Sequence, residues 1–348
     1  MLLALAAIPV IAGVVLDLLA GPASRRLAPA TAVRLLVAAA GTTALATAFC
    51  LAVLAFNAVT ENLAIARIGH WIPTVDPDDG TPPPIGGAAL LVVIIAMLTA
   101  AIVQCARVLT ATARSRLPFR HLAPNEDGVT VIESPIADAF AVPGLLGAPG
   151  RIVITRGMLQ TLDPDEIRFL VAHERSHLAN HHQLLVQAAR LAATTNPLLV
   201  PVARRARTLT ERWADEDAAA RIASRGLAAR TVARAALARM SSLRDGDRRG
   251  APDRVTAGSS ALNSSALNAT TTGVPDRVRA LSRAYQPPRL RHAWSVVAVG
   301  LAVVAASASI ASLTQAKFER AASDTVTAHG RVYWVAELGD HDGDDRRR

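Results

Sequence analysis

The sequence is poor in charged residues, aromatic residues and cysteine, and these shortages exclude several classes of protein. Only 19% of the 348 residues are charged and 3% are aromatic, whereas 51% are hydrophobic. The resulting mean hydropathy of +0.30 is high for a water-soluble globular protein, and it excludes a chain that is disordered throughout. The two cysteines, Cys50 and Cys105, lie inside apolar runs, which excludes a disulfide scaffold. The composition therefore indicates a membrane protein with a sizeable polar portion.

Four apolar runs are long enough to cross a bilayer as helices, which takes about 20 residues. These runs are Leu2–Ala20, Leu35–Phe56, Ile85–Ala106 and Ala293–Leu313. Each could instead be a buried helix of a large soluble core, but the second run carries no charge along its whole length. We therefore expect a membrane domain over residues 1–106 with three transmembrane helices, and a fourth transmembrane helix at 293–313.

The positions of arginine predict the orientation of these helices, because cytoplasmic flanks carry the excess of basic residues. Arginines lie between the first two runs, directly after the third run and directly before the fourth. The segment between the second and third runs is acidic. We therefore expect residues 107–292 to form a cytoplasmic domain. The N-terminus and a short tail at 314–348 are expected on the extracytoplasmic side.

The chain is strongly basic, with a net charge of +9 and an isoelectric point near 11.0. Such a charge also occurs in nucleic-acid-binding proteins. However, no basic helix with interleaved aromatic residues and no known reading motif is present. We expect no direct contact with nucleic acid, and we expect the basic domain to lie against the anionic headgroups of the lipid bilayer.

Two stretches of the polar portion, Val129–Glu133 and Arg151–Thr155, favour β-strands. The segment 140–150 between them is rich in glycine and proline, which predicts a hairpin or a small sheet with a long connection. Farther along, residues 245–273 lose all periodicity and are rich in serine, threonine and asparagine towards their end, which predicts a flexible loop.

Helices are predicted between the strands and this loop. One begins after Asp163, because aspartate suits the N-cap, proline follows at the first helical position, and Glu166 can complete a capping box. Its apolar spacing continues to Leu185. A further helix is predicted over residues 211–224, with Gly226 ending it, and a basic amphipathic helix over 227–243.

The first of these helices carries an H-E-x-x-H sequence at residues 173–177. Two histidines four residues apart project from one helix face, so His173 and His177 can bind the same zinc ion. Glu174 then points near the open coordination position, where it can accept a proton from water. The alternative is a helix that merely carries solvated histidines.

A third ligand is expected, because catalytic zinc commonly uses two histidines and one carboxylate. Glu211 and Asp215 lie four residues apart on a predicted helix and share a face. Glu211 is the candidate ligand, and Asp215 is the candidate acceptor of a hydrogen bond from a ligand histidine. The alternative is a solvated acidic patch, since Glu216 and Asp217 follow directly.

Two further histidines follow the motif and are not expected to bind the metal. On a continuous helix His181 would lie two turns beyond His173, about 12 Å away, which is too far for one ion. We expect His181 and His182 to make polar contacts near the site. No G-x-S-x-G, P-loop or C-x-x-C sequence occurs, so serine-hydrolase, nucleotide and thiol-redox chemistry have no support.

The order of these segments resembles the BlaR/MecR-type membrane zinc metallopeptidases, especially their short actinobacterial relatives. The resemblance extends to the wider group that includes HtpX-type gluzincins and CAAX-prenyl-protease-type enzymes. It is carried by four segments: AFAVPG (Ala139–Gly144), GRIVIT (Gly150–Thr155), LDPDEIRFLVAHERSHLANHH (Leu162–His182) and ERWADEDAA (Glu211–Ala219). No S-x-x-K sequence follows the fourth apolar run, so the likeness does not extend to the β-lactam sensor domain of those proteins.

The resemblance implies a mainly α, polytopic membrane protein whose cytoplasmic α+β domain is zincin-like. It also implies zinc bound by His173, His177 and Glu211, with Glu174 as the general base. The expected activity is hydrolysis of peptide bonds in cytoplasmic or membrane proteins, in regulated cleavage of a transcriptional repressor or of the chain itself. A quality-control protease and a non-catalytic zinc-binding scaffold are the alternatives. Strand Arg151–Thr155 is expected to receive a substrate as an added β-strand.

Overall fold

The computed structural model describes most of the chain, and all structural statements below refer to the described residues. These are residues 2–60, 84–119, 121–122, 125, 128–145, 148–248, 273–283 and 291–340. The acidic segment before the third apolar run and most of the predicted flexible loop at 245–273 lie outside them. Residues 245–248 belong to a helix, and residue 273 begins another.

The four apolar runs form helices that are longer than the runs themselves. Helix α1 covers Leu2–Arg26, α2 covers Pro29–Thr60, and α3 covers Pro84–Arg116. The last helix of the chain covers Arg291–Asp340. Four stretches are long and apolar enough to cross a membrane: Ala7–Arg26, Pro29–Ala58, Ala88–Phe119 and Ala293–Ala316. The third of them includes the 3-10 turn Leu117–Phe119 that follows α3. The prediction of four such helices is confirmed.

A three-stranded sheet follows, which confirms the predicted small sheet and excludes the hairpin alternative. Strand β1 (Val129–Ile132) pairs with β3 (Arg151–Thr155) in parallel, so the two predicted strands are not a hairpin. A strand that was not predicted, β2 (Ala139–Val142), pairs with β3 in antiparallel orientation. The strand order is β1-β3-β2, which makes β2 an edge strand and β3 the central one. Part of the segment interpreted as connection is therefore a strand.

The central strand is buried on both faces, as its run of apolar residues requires. Ile152 and Ile154 pack on one face against the short helix α4 (Arg156–Thr161) and the following helix. Val153 points to the opposite face and packs with Phe119, in the 3-10 turn that follows α3. Because side chains alternate along the strand, the sheet lies between α4 and the helix after it on one face and Phe119 on the other.

The predicted helix start after Asp163 is confirmed. Helix α5 covers Pro164–Ala179, and its capping box is complete: the Asp163 carboxylate accepts from the Glu166 backbone, and Glu166 accepts from Asp163. The predicted continuation to Leu185 is wrong, because the chain turns at His181, which has a φ of 49°. A separate helix, α6, covers His182–Thr195.

Four further helices complete the described part of the chain. After a short 3-10 turn at Pro197–Leu199, α7 covers Val200–Ile222 and α8 covers Arg225–Arg248. Gly226 lies inside α8 and does not end α7, which instead ends at Ala223 with a φ of 54°. Helix α9 covers residues 273–282, and α10 is the apolar helix Arg291–Asp340. Residues 314–340 of the predicted tail are thus helical.

The hairpin of α6 and α7 packs into the bundle of apolar helices. One continuous core contains Leu16 of α1, Leu36 of α2, Val296 of α10, and Leu199 and Leu209 of the hairpin. The polar portion is therefore joined to the apolar bundle by a shared hydrophobic core.

Candidate metal centre

The two motif histidines and Glu211 meet at one point, as the sequence predicts. His173 and His177 come from α5, while Glu211 comes from α7, which packs against α5. The two Nε2 atoms lie 3.2 Å apart. The carboxylate oxygens of Glu211 lie 3.8 Å from Nε2 of His173 and 3.7 Å from Nε2 of His177. Contact between helices has brought together residues that are 34 positions apart.

These three distances fit a tetrahedral metal ion. Zinc bonds to nitrogen and oxygen are about 2.1 Å long, and tetrahedral angles then place ligand atoms about 3.4 Å apart. All three groups could direct a lone pair to one point, with His173 buried and the other two residues partly buried. The donor set of two imidazoles and one carboxylate leaves one coordination position open, as in catalytic zinc sites.

Asp215 lies beside His173, where the predicted orienting role requires it. An Asp215 oxygen lies 3.0 Å from Nδ1 of His173, on the side of the ring opposite the other ligands. Burial alone would raise the pKa of Asp215, but Arg277 and His173 outweigh it and hold this pKa well below its ordinary value. The charged carboxylate keeps the Nδ1 proton in place, so Nε2 presents its lone pair to the metal.

Arg277 is a site residue that the sequence did not reveal. It lies on α9, beyond the predicted loop, and donates from Nε and one terminal nitrogen to Asp215 at 2.7 and 2.6 Å. Its other terminal nitrogen lies 3.2 Å from Glu211. One guanidinium therefore contacts both Glu211 and Asp215. No local pattern distinguishes this arginine from the other arginines of the chain.

His182 orients the second histidine. Its Nδ1 lies 3.0 Å from Nδ1 of His177, and its ring packs at 4.6 Å against Trp213. The Arg34 guanidinium lies 4.5 Å from the same Trp213 ring. Burial, reinforced by His177, lowers the pKa of His182 to about 3, so the ring is neutral. The expectation of a polar contact near the site is confirmed for His182. His181 is exposed, and the helix break removes the premise that it continues the motif face.

The acidic residues after Asp215 are not a solvated patch. Glu216 forms an ion pair with Arg225 at 2.5 Å. Asp217 accepts from Ser176 at 2.7 Å and from Asn180 at 3.0 Å, which ties α7 to the end of α5. Each acidic side chain in this run therefore has a defined partner.

Glu174 lies in the same cavity as the proposed ligands, next to the edge strand β2. The cavity has a volume of about 170 Å³ and is lined on one side by residues 139–143. The Ala141 backbone is close enough to the Glu174 carboxylate to lower its pKa slightly. Burial raises the pKa of Glu174 to about 7, although His173 opposes this rise. A carboxylate with a pKa near neutrality can both accept and return a proton.

Comparison with known families is consistent with this geometry. Residues 106–239 match the model of peptidase family M48. The match confirms the predicted resemblance and supports a metallopeptidase, and M48 peptidases are generally zinc-dependent. No curated protein and no solved structure gave a significant match to the chain. The matched segment contains the proposed ligands, Glu174 and Asp215, whereas Arg277 lies beyond it.

Proposed function

We propose that this chain is a membrane-embedded, zinc-dependent endopeptidase. The observation that carries the proposal is the metal-ligand geometry of His173, His177 and Glu211 beside Glu174, in a cavity bordered by a free strand edge. A structural zinc site would need neither the open coordination position nor the neighbouring carboxylate.

The residues of the site have distinct roles in this proposal. His173, His177 and Glu211 hold the ion, and Asp215 and His182 fix the two imidazoles. A zinc ion held there supplies Lewis-acid chemistry, which lowers the pKa of water and polarises a carbonyl group. Glu174 accepts the proton of the attacking water and then returns it to the departing amine. Burial of Glu174 raises its pKa to about 7, which favours acceptance of the proton and still allows its return near neutral pH.

A substrate strand is proposed to bind along β2, which corrects the expectation that it would bind along β3. Strand β3 is paired on both sides and has no free edge. Strand β2 pairs only with β3, and its residues line the cavity that contains Glu174. An extended peptide added to this edge would pass the proposed ligands with its backbone hydrogen-bonded to β2.

The site is proposed to lie at the cytoplasmic face of the membrane. Near the site, Arg212 donates to the Ser24 carbonyl at the end of α1. At the far end of the hairpin, Asn196 donates to the carbonyls of Pro9 and Val10. Between them, Arg205 pairs with Asp17 at 3.3 Å. Helix α7 thus runs beside α1 for about 22 Å of helix rise. If α1 crosses the bilayer, the tip of the α6–α7 hairpin at 196–199 lies within the bilayer. The site then lies at the face of the membrane where α1 ends.

Two uses of the activity are compatible with this site. Regulated cleavage of a transcriptional repressor or of the chain itself is the first, and removal of damaged membrane proteins is the alternative. The predicted loop at 256–273, a natural position for self-cleavage, lies mostly outside the described residues. A gene for a small winged-helix repressor beside this gene would favour regulated cleavage, and a shortened chain in native membranes would favour self-cleavage.

The metal content of the detergent-purified protein tests the proposal. We expect about one zinc per chain in the wild type, and loss of zinc in His177→Ala and Glu211→Ala. The matched control is Glu216→Ala, on the same helix but outside the site, which should keep its zinc. A folded wild-type protein without zinc would contradict the proposal.

Cleavage then separates the enzyme from a scaffold that merely holds zinc. Glu174→Gln removes the proton acceptor but no ligand, so it should keep zinc and lose at least a hundredfold in cleavage of a degenerate peptide pool. Equal product formation by wild type and Glu174→Gln would support a non-catalytic zinc-binding membrane scaffold.

A further inference from the structure

A second cavity, of about 110 Å³, adjoins the cavity of the proposed metal site. Five residues line both cavities: Ala139 at the start of β2, His173 and Glu174 of α5, Glu211 of α7, and Arg239 of α8. The rest of the second cavity has no role in holding the ion or in the proton transfer proposed for Glu174. It is therefore available for another function beside the same site.

The wall of the second cavity is mainly apolar. Its large apolar residues come from four helices, and they are Met158 of α4, Phe169 and Leu170 of α5, Val232 of α8, and Val274 of α9. The first four of these side chains are buried in the protein. An apolar group that enters such a cavity leaves water and contacts apolar side chains, which is favourable. The second cavity is therefore suited to an apolar group.

The charged residues of this wall already have partners. Arg239 lies 2.8 Å from Asp138, and both residues line the second cavity. Arg277 lies 2.6 Å from Asp215 and 3.2 Å from Glu211. A charged side chain that entered the cavity would lose its water and meet groups that are already paired, which is unfavourable. The second cavity therefore disfavours acidic and basic side chains.

The volume of the second cavity limits the size of its occupant. A water molecule takes up about 30 Å³ in the liquid, so this cavity has room for about four non-hydrogen atoms. The side chains of leucine and methionine are of this size, whereas the acyl chain of a lipid is much longer. Ala235 and Ala236 of α8 also line the cavity, and their small side chains leave this space open.

The residues shared by the two cavities place the second cavity next to the metal site. His173, Glu174 and Glu211 line both, so a peptide that reaches the metal also passes the opening of the second cavity. Ala139, the first residue of the edge strand β2, lines both as well. Each residue of an extended peptide spans about 3.4 Å, so a side chain in the second cavity belongs to a residue close to the scissile bond.

We propose that the second cavity is a specificity pocket for an apolar substrate side chain of the size of leucine. The residue that carries this side chain lies within about two positions of the scissile bond. Ala236 and Val232 set the size of the pocket. This inference rests on the proposed function, because it takes the metal site to be the place where a peptide is cleaved.

Peptide capture tests the pocket without requiring cleavage. The zinc-loaded full chain carrying Glu174→Gln is immobilised in nanodiscs of zwitterionic lipid and exposed to a pool of degenerate dodecapeptides. The retained peptides are identified by mass spectrometry, and empty nanodiscs correct for peptides that bind to the lipid. We expect about tenfold enrichment of leucine over asparagine, which has a side chain of similar shape that is polar.

Second substitutions in the Glu174→Gln background assign the preference to the pocket. Ala236→Leu fills the space, so the enrichment of leucine should fall about tenfold and alanine should be preferred, with zinc content unchanged. Val232→Ala enlarges the space, so phenylalanine should become enriched. A general loss of stability would not shift the preference in opposite directions. Ala220→Leu, the same substitution at an exposed position of α7, is the matched control and should keep the leucine preference.

Three results would overturn the pocket: equal retention of leucine and asparagine peptides, leucine enrichment that survives Ala236→Leu, or a preference for charged residues. Cleavage by the wild-type chain with no residue preference around the new termini would also overturn the pocket and would leave the peptidase supported. Leucine enrichment that Ala236→Leu abolishes, in a chain whose wild-type form cleaves no peptide, would support the pocket and contradict the peptidase. The failure of the pocket and the failure of the proposed function are therefore distinguishable.

Discussion

Arg277 binds both carboxylate oxygens of Asp215, at 2.7 and 2.6 Å, although 62 residues separate the two in the sequence. Asp215 in turn lies 3.0 Å from Nδ1 of His173, so a helix outside the segment that matches peptidase family M48 contacts the residue proposed to orient a zinc ligand. The buried carboxylate remains charged because this guanidinium is beside it.

Arg277→Gln should therefore weaken zinc binding without removing a ligand. We expect a 10- to 100-fold loss of zinc affinity, because the buried Asp215 loses its partner and holds His173 less firmly. Arg279→Gln is the control, since Arg279 lies on the same helix in an exposed pair with Asp276. Competition with a fluorescent chelator measures both variants. Equal zinc affinity in the two would show that Arg277 has no role in the site.

His182 and His181 provide a test at adjacent positions. His182→Ala removes the contact to Nδ1 of His177, and we expect about a tenfold loss of zinc affinity. His181→Ala changes an exposed side chain and should leave zinc affinity unchanged. The same chelator competition applies. A larger loss in His181→Ala than in His182→Ala would contradict the orientation described for the site.

The depth of the hairpin tip predicts its accessibility to reagents. Leu198→Cys, in a chain with both native cysteines replaced by alanine, should react at least tenfold more slowly with a membrane-impermeant maleimide than Arg168→Cys. Arg168 is an exposed residue of α5. The reason is that residue 198 lies beside Gly13, well inside the apolar stretch of α1. Equally fast labelling of both positions would show that the tip is in water.

Two glycines should respond differently to alanine. At Gly157 a Cβ atom would lie 2.3 Å from the Pro135 carbonyl oxygen, a backbone atom that cannot move aside freely. We expect Gly157→Ala to lower the midpoint of thermal unfolding by several degrees, since overpacking typically costs about 1–3 kcal/mol. At Gly226 no atom lies within 4 Å of such a Cβ.

Gly226→Ala is therefore the matched control for Gly157→Ala. It lies within α8, where alanine favours the helix by about 0.5–1 kcal/mol, so the midpoint should stay unchanged or rise. Thermal unfolding of both variants in the same detergent, followed by tryptophan fluorescence, makes the comparison. A lower midpoint for Gly226→Ala than for Gly157→Ala would contradict the packing described around Pro135.

Local sequence determined the features that depend on near neighbours. Apolar runs set the four long helices, and Asp163 with Glu166 set the beginning of α5. The spacing of His173 and His177 placed both imidazoles on one face, because helical periodicity acts over four residues. Glu211 and Asp215 were predictable for the same reason, once a two-histidine site required a carboxylate. The side of the membrane on which the site lies stays a prediction.

Tertiary structure decided what depends on contacts between distant segments. Strand β2 is an edge strand because β3 pairs with β1 on its other side, and β2's own four residues contain no such information. The helix break at His181 allows the His182 side chain to contact His177. The sequence did not predict this break, because the apolar spacing continues across residue 181. Arg277 differs from the other arginines because its position on α9 places it beside Glu211 and Asp215 of α7. A buried charge such as that of Arg277 is stable only beside an opposite charge. The fold decides which charged residues become such neighbours.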